Sequence, residues 1–383
     1  MSSITPSSQP QPTHLPAWPQ PASSRAGMGV GAIIGIVVAA VIGLVVAGYL
    51  GLALGFSTLA VTALLALVPL TLVLLAIRWV DRWEPEPRWA LWFAFLWGAA
   101  VSVAIALLVD LGVQLAFAFA GGGASPDEAV QAVVQAPIVE ELAKGIGVLL
   151  IFMFSRSHFD GPVDGLVYAA TVAAGFAFTE NVLYFGSALI EGGGAELGMT
   201  FLIRGIFSPF AHVLFTACTG LAIGIAASRG GGPRVIGWFL IGLAGAVMLH
   251  AFWNGSLAFA DAFLLYFTVQ VPIFVGAILL VVFLRRHEIR VTRTHLAEYA
   301  AAGWFNADEV AGLSTPRGRR AAVDWAKAQH PPRTAEVRRF IADATHLAFT
   351  RHALVTGRGD VRRLDDERVL LDAITADRRA IAG

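Results

Sequence analysis

The chain has 383 residues, of which 56% are hydrophobic and only 14% charged, against about 25% charged in an average soluble domain; its mean hydropathy is +0.69. This composition excludes an ordinary soluble globular protein. The 27 basic and 27 acidic residues cancel, and the single cysteine, Cys218, excludes an intrachain disulfide framework or a cysteine-based metal cluster. No nucleic-acid partner is expected.

Residues 1–25 carry six prolines among Ser, Gln and Thr, with Arg25 the only charge. That composition cannot bury a core and predicts a disordered extension. No charge interrupts the chain between Arg25 and Arg78, and because about 20 apolar residues cross a bilayer, the stretch holds two spans with a turn near 51–57. Residues 78–88 combine charge, proline and tryptophan and read as a loop at the membrane surface. Apolar stretches follow at 89–119, 129–155, 162–190, 201–228, 234–260 and 263–284. The expected architecture is therefore all-α: a polytopic transmembrane helix bundle of about eight spans over 26–284, followed by a small helical tail, 285–383.

The positive-inside rule orients the bundle. The basic residues flanking spans, Arg25, Arg78, Arg82, Arg88, Arg156, Arg229, Arg234, Arg285, Arg286 and Arg290, fall at alternate boundaries, whereas the opposite loops, at 121–128, 191–198 and Asp261, are Gly-rich and acidic, with Arg204 the one basic residue near that side. A multi-pass protein of the cell membrane with both termini cytoplasmic is expected. The tail holds 18 of the basic residues. Asn306-Ala307-Asp308-Glu309 has the form of a capping box, and Val337, Phe340, Ile341, Ala344 and Leu347 recur at helical spacing after Thr334. Its arginines have two readings: contact with anionic lipid, or pairing within a solvated helical surface.

Ionisable groups inside spans are costly, so each one demands a reason. Glu140, Glu141 and Lys144 lie in the fourth span, Glu180 beside Asn181 in the fifth, His212 in the sixth, and His250 with Asn254 in the seventh. Counted from the basic ends of their spans, the two glutamates, Glu180 and both histidines lie 15 to 18 residues deep, or roughly 22 to 27 Å at the helical rise per residue. Four helices thus deliver these side chains to one layer in the outer half of the bilayer. Glu140 and Glu141 can both reach Lys144, and His250 and Asn254 share a face. Two carboxylates with one lysine leave a surplus charge, which a purely structural ion pair does not need. Asp110, Asp164 and Arg204 lie nearer span ends, where packing or snorkelling is the default.

In this order, Asp81-Arg82-Trp83-Glu84-Pro85-Glu86-Pro87, Glu140-Glu141-Leu142-Ala143-Lys144, Phe176-Ala177-Phe178-Thr179-Glu180-Asn181, His212, and His250 with Asn254 resemble the PrsW family of intramembrane proteases over roughly residues 28–284. The resemblance implies a membrane-embedded peptidase related to the CAAX-prenyl endopeptidases and bacterial immunity-type membrane proteases. Within that group the Glu-Glu pair is taken to activate water. It further implies a membrane-anchored protein substrate, for one family role an anti-sigma factor.

Hydrolysis needs a water, a base and donors for the oxyanion. Glu140 or Glu141 can be the base, with Lys144 setting which is ionised, and Asn254 can donate to the oxyanion. Glu180, His212 and His250 form a His2Glu set with an open fourth position, the donor set of a catalytic zinc; a glutamate mechanism without Zn2+ uses the same residues, and both remain open. Two other classes compete: a proton-coupled transporter, since intramembrane Glu and His chains also build proton relays, and a catalytically inactive membrane scaffold binding single-span partners.

Overall fold

The computed structural model describes residues 29–120, 127–156, 159–258, 262–358 and 361–382; the Pro-rich stretch 1–25 lies outside them. Among the described residues all regular structure is helical. The first two helices, α1 (Val30–Leu54) and α2 (Phe56–Val80), are separated by Gly55 alone. Its φ of 83° is open to glycine without steric cost, so the hairpin turns within the segment the sequence marks. The helical stretch α3 (Arg88–Phe119) contains a π-helical stretch, Trp97–Ser102. Then come α4 (Ala136–Phe154), α5 (Pro162–Phe201), α6 (Ala211–Ser228), α7 (Arg234–Ala258) and α8 (Val271–Ala301).

Among the described residues, six stretches are long and apolar enough to cross a membrane: α1, α2, α3, Pro162–Ser228, Arg234–Ser256 and Tyr266–Ala301. Two features account for the difference from the expected eight. Pro162–Ser228 doubles back on itself, since Gly165 abuts Gly220 while Gly224 abuts Gly161, the contact pattern of antiparallel helices α5 and α6. Helix α4 carries Glu140, Glu141 and Lys144 in 19 residues, a charge load that sets it apart from the apolar stretches.

Helix α5 is the hub. Val167, Tyr168, Ala169, Val172 and Ala173 are buried on successive positions around it, so helices cover it on all sides. A Cβ on Gly98 would strike the Val172 carbonyl and one on Gly175 the Phe95 carbonyl; glycine at both sites lets α3 and α5 meet backbone to backbone, as small residues do between membrane helices. Helix α5 breaks at Gly193 (φ 67°) and continues through a π-helical stretch, Leu202–Phe207, before α6 begins. The sixth expected span therefore starts ten residues late, and His212 stands in the first turn of α6 rather than inside a longer helix.

Helix α8 runs unbroken from the apolar region into the tail, whose further helices are α9 (Ala307–Leu313), α10 (Pro316–Ala328), α11 (Thr334–Ala353) and α12 (Val361–Ala382). The capping box forms as the spacing predicts: Glu309 N–H donates to Asn306 Oδ1 at 2.8 Å and Asn306 N–H to Glu309 Oε2 at 2.9 Å. Phe340, Ala344 and Leu347 enter a core of their own with Leu296, Phe305 and Ile374, Ile341 packs against it, and Val337 is buried. Three of the tail's arginines pair with acidic residues: Arg339 meets Glu336 and Asp377, Arg351 meets Glu298, and Arg378 meets Glu309. Arg319 docks the tail on the membrane part: its guanidinium lies 3.4 Å from the Trp83 ring and donates to the Trp83 carbonyl at 2.8 Å.

Candidate active site

Helix α4 carries Glu140, Glu141 and Lys144 at i, i+1 and i+4, a spacing that lets one ammonium reach both carboxylates. Lys144 Nζ donates to Glu141 Oε1 at 2.7 Å and to Glu140 Oε2 at 3.3 Å. Glu141 and Lys144 are fully buried and Glu140 is 8% exposed, so the pair sits where an unpartnered charge would cost several kcal/mol. The Phe176 ring from α5 faces the ammonium at 3.9 Å, within cation–π range.

Glu141 is saturated with partners. Besides Lys144 it receives the Thr216 hydroxyl at Oε2 (2.9 Å) and faces His250 Nδ1 at Oε1 (3.1 Å). Glu140 offers Lys144 only Oε2 and lines a cavity of about 330 Å³ together with Glu180, Arg204, His212, His250 and Asn254. Of the two adjacent carboxylates, then, one is an anchor and the other faces open space. The Phe215 ring stacks on His250 at 4.6 Å and fixes its plane.

Glu180 reaches the layer its depth suggests but does not group with both histidines as expected. Its Oε2 accepts from Arg204 and faces His212 Nε2 at 2.7 Å, while Arg204 Nε donates to Asn181 at 2.9 Å. Among the described residues, the three side chains whose potential ligand atoms lie within 4.8 Å of one another are Glu140, His212 and His250. The histidine pair is thus grouped with Glu140, whereas Glu180 stands behind His212. Each histidine is held at one ring nitrogen by a carboxylate, His250 by Glu141 and His212 by Glu180, the arrangement that orients metal-binding imidazoles. One carboxylate and two imidazoles match the donor chemistry of a catalytic zinc site. Lys144 borders the same space, 3.2 Å from His212 Nδ1. The residues fit a metal ion in kind and in mutual spacing.

Asn254 lines the cavity one turn beyond His250, with its Nδ2 donating to the Ala132 carbonyl at 2.8 Å. Arg204 departs from snorkelling by turning inward to Glu180. Thr216 is a functional contact that sequence reasoning passed over, although its position four residues after His212 puts it on the same face of α6.

Residues 86–277 match the model of the PrsW family intramembrane metalloprotease, a stretch that contains every residue of this site. The chain is 33% identical over 144 residues to Protease PrsW of Geobacillus kaustophilus (strain HTA426), covering 38% of the chain and 57% of that protein. It is 32% identical over 160 residues to Protease PrsW of Clostridioides difficile (strain 630), covering 42% and 63%. It is 29% identical over 119 residues to Protease PrsW of Bacillus subtilis (strain 168), covering 31% and 50%. The chain thus spans less than two thirds of the length of these curated relatives. No solved structure matches it.

Proposed function

Because the chain belongs to the PrsW family of intramembrane metalloproteases, we propose that it is an intramembrane endopeptidase that hydrolyses a peptide bond of a membrane-anchored protein. The observation that carries this reading is the meeting of Glu140, His212, His250 and Asn254 at one cavity among helices apolar enough to cross a membrane. A packing role would call for buried pairs closed on themselves, and Glu141 with Lys144 already meets that need.

The residues divide the work. Glu140, with Oε1 turned from Lys144, accepts the proton of the attacking water and returns it to the departing amine. Glu141, held by Lys144, Thr216 and His250, positions the lysine and the histidine. Asn254 Nδ2 leaves the Ala132 carbonyl to donate to the developing oxyanion. Glu140, His212 and His250 are also the side chains that would hold a zinc ion, which when bound supplies a Lewis acid for the substrate carbonyl. In that setting Glu140 serves as ligand instead of base.

The alternation of arginine-bearing boundaries supports cytoplasmic termini, with 285–383 as a cytoplasmic tail and the site toward the outer side. An anti-sigma factor is one substrate of this kind. The test is cleavage of a single-span substrate by the full chain in nanodiscs, with metal content measured on the same sample. Glu140→Gln is expected to abolish cleavage; full activity in both Glu140→Gln and Glu141→Gln refutes the proposal. Activity that falls with bound zinc on chelation assigns Glu140 as ligand, and chelator-resistant activity without bound metal assigns it as base.

A further inference from the structure

A second cavity, of about 290 Å³, lies on the α1 and α3 side of the site. It shares Ala132, Ala136, Glu140, Glu180 and Tyr184 with the first, so these residues form a partition with open space on both faces. We propose that the second cavity is the other half of the substrate cleft, and that Asp110 and Glu128 select there a basic side chain of the substrate on one side of the scissile bond. This rests on the endopeptidase reading.

Two lines of physical argument carry it. An endopeptidase must house chain on both sides of the bond it cuts, and an extended chain advances about 3.3 Å per residue. A single cavity ending at Glu140 would admit little beyond a chain terminus. With open space on both faces of Glu140, the chain can cross the partition there.

The second line is charge. Arg204, His212 and His250 line the first cavity, whereas no Lys, Arg or His lines the second. Four carboxylates face the second cavity: Glu140, Glu180, Asp110 and Glu128. Glu140 has Lys144 and Glu180 has Arg204 as cation partners. Asp110 is bonded to Gln114 Nε2 at 2.8 Å, a neutral donor one turn along its own helix, and neither it nor Glu128 forms an ion pair among the described residues. Half-buried Asp110 and exposed Glu128, two carboxylates without a cation lining a cavity that also contains Glu140, favour a Lys or Arg side chain and disfavour an acidic one.

The experiment uses the full chain in nanodiscs and quenched fluorescent peptides of one scaffold, differing only in Lys, Gln or Glu at each of three positions on either side of the cut. Binding is read by anisotropy on the Glu140→Gln variant, and cleavage as kcat/KM on the wild type. On one side only, Lys is expected to exceed Gln by roughly tenfold, the scale of a charge-assisted hydrogen bond, with Glu below Gln. Asp110→Asn with Glu128→Gln should bring the Lys-to-Gln ratio close to one, and Asp110→Lys should turn the preference toward Glu. A Lys advantage that is absent, or that survives the double substitution, overturns the subsite. Lys-dependent binding that the double variant loses, without cleavage of any peptide, retains the subsite and removes the peptidase reading. Cleavage with no charge preference does the reverse.

Discussion

Carboxylates gather at two places in this chain, and they are managed in opposite ways. At the cavity among α4 to α7, Glu140 and Glu141 share Lys144, and Glu180 has Arg204. At the junction where the loop 81–87 meets α5, α8 and the tail, Glu84 and Glu86 lie close to Asp160, Asp164 and Glu288, with Arg319 the base that offsets Glu84. Burial, reinforced by these acidic neighbours, pushes the Glu84 and Glu86 carboxyls well above the usual carboxylate range, and burial lifts Asp81 to about 6. One cluster pairs its carboxylates with cations. In the other, burial among like charges favours the protonated carboxyls, against the pull of the Tyr168 hydroxyl, whose hydrogen bond to Glu86 favours the ionised form. Chemistry needs ionised groups; a packed junction does not.

The largest effect that can break this contrast is on turnover. Glu140→Gln should lower cleavage of a single-span substrate on the order of 10² or more, as loss of a general base does, whereas Glu86→Gln at the junction should leave turnover within a few-fold. Equal losses in a side-by-side kcat/KM measurement would erase the functional distinction between the clusters. Next in size is stability. Lys144→Met strands Glu141 in a fully buried place, and breaking a buried pair from one side costs about 3–5 kcal/mol. Adding Glu141→Gln to Lys144→Met should restore most of the loss of thermal stability in detergent, because the fully buried carboxylate is then neutral and only Glu140, which borders the cavity, is left without the lysine. Failure of that rescue would mean that Lys144 supports the bundle through Phe176 or His212 rather than through its charge pair.

A smaller effect belongs to the junction. Arg319 stacks on Trp83 and donates to the Trp83 and Leu313 carbonyls and the Thr345 hydroxyl. Burial brings its guanidinium down to about 10, which still leaves it cationic at neutral pH. Arg319→Ala removes a cation–π contact and these hydrogen bonds, together worth about 2–3 kcal/mol. The tail should then become more susceptible to limited proteolysis while the membrane part keeps its protection. Unchanged tail protection would show that α8 alone anchors it.

The helical fold and the site's membership were legible in the sequence for one reason: a charged residue in an apolar run announces itself. Depth counting along α4, α5, α6 and α7 put Glu140, Glu141, Glu180, His212 and His250 in one layer, and the structure brings all five together. Depth does not encode rotation about the helix axis, however. The expected trio is Glu180, His212 and His250, whereas the side chains grouped in the structure are Glu140, His212 and His250. Arg204 was unreadable for a related reason. It sits in the π-helical stretch Leu202–Phe207, where the wider turn shifts side chains off the 3.6-residue faces that pattern reading assumes. The junction was the least legible part, since the partners of Glu84 and Glu86 come from helices distant in sequence.

The smallest effect is the dependence of the junction on pH, and its sign follows from the raised carboxyls. Asp81 has an ordinary value of 3.8 and stands at about 6 in the folded chain, so the folded state binds its proton more tightly than the unfolded state does. Stability from such a group is fully present below the unfolded value and is lost as pH rises through the folded one. Glu84 and Glu86 act in the same direction over a window that begins near their ordinary value of 4.5 and reaches higher. Tail protection from proteolysis should therefore decline as pH rises from about 4 through 6 and above, opposite to the trend of carboxylates stabilised by ion pairs. Glu86→Gln should flatten the decline, because a neutral amide stands in for the protonated acid at every pH. A junction that instead loosens on acidification would show that its carboxylates are ionised and cation-paired like those of the cavity, and the contrast between the two clusters would collapse.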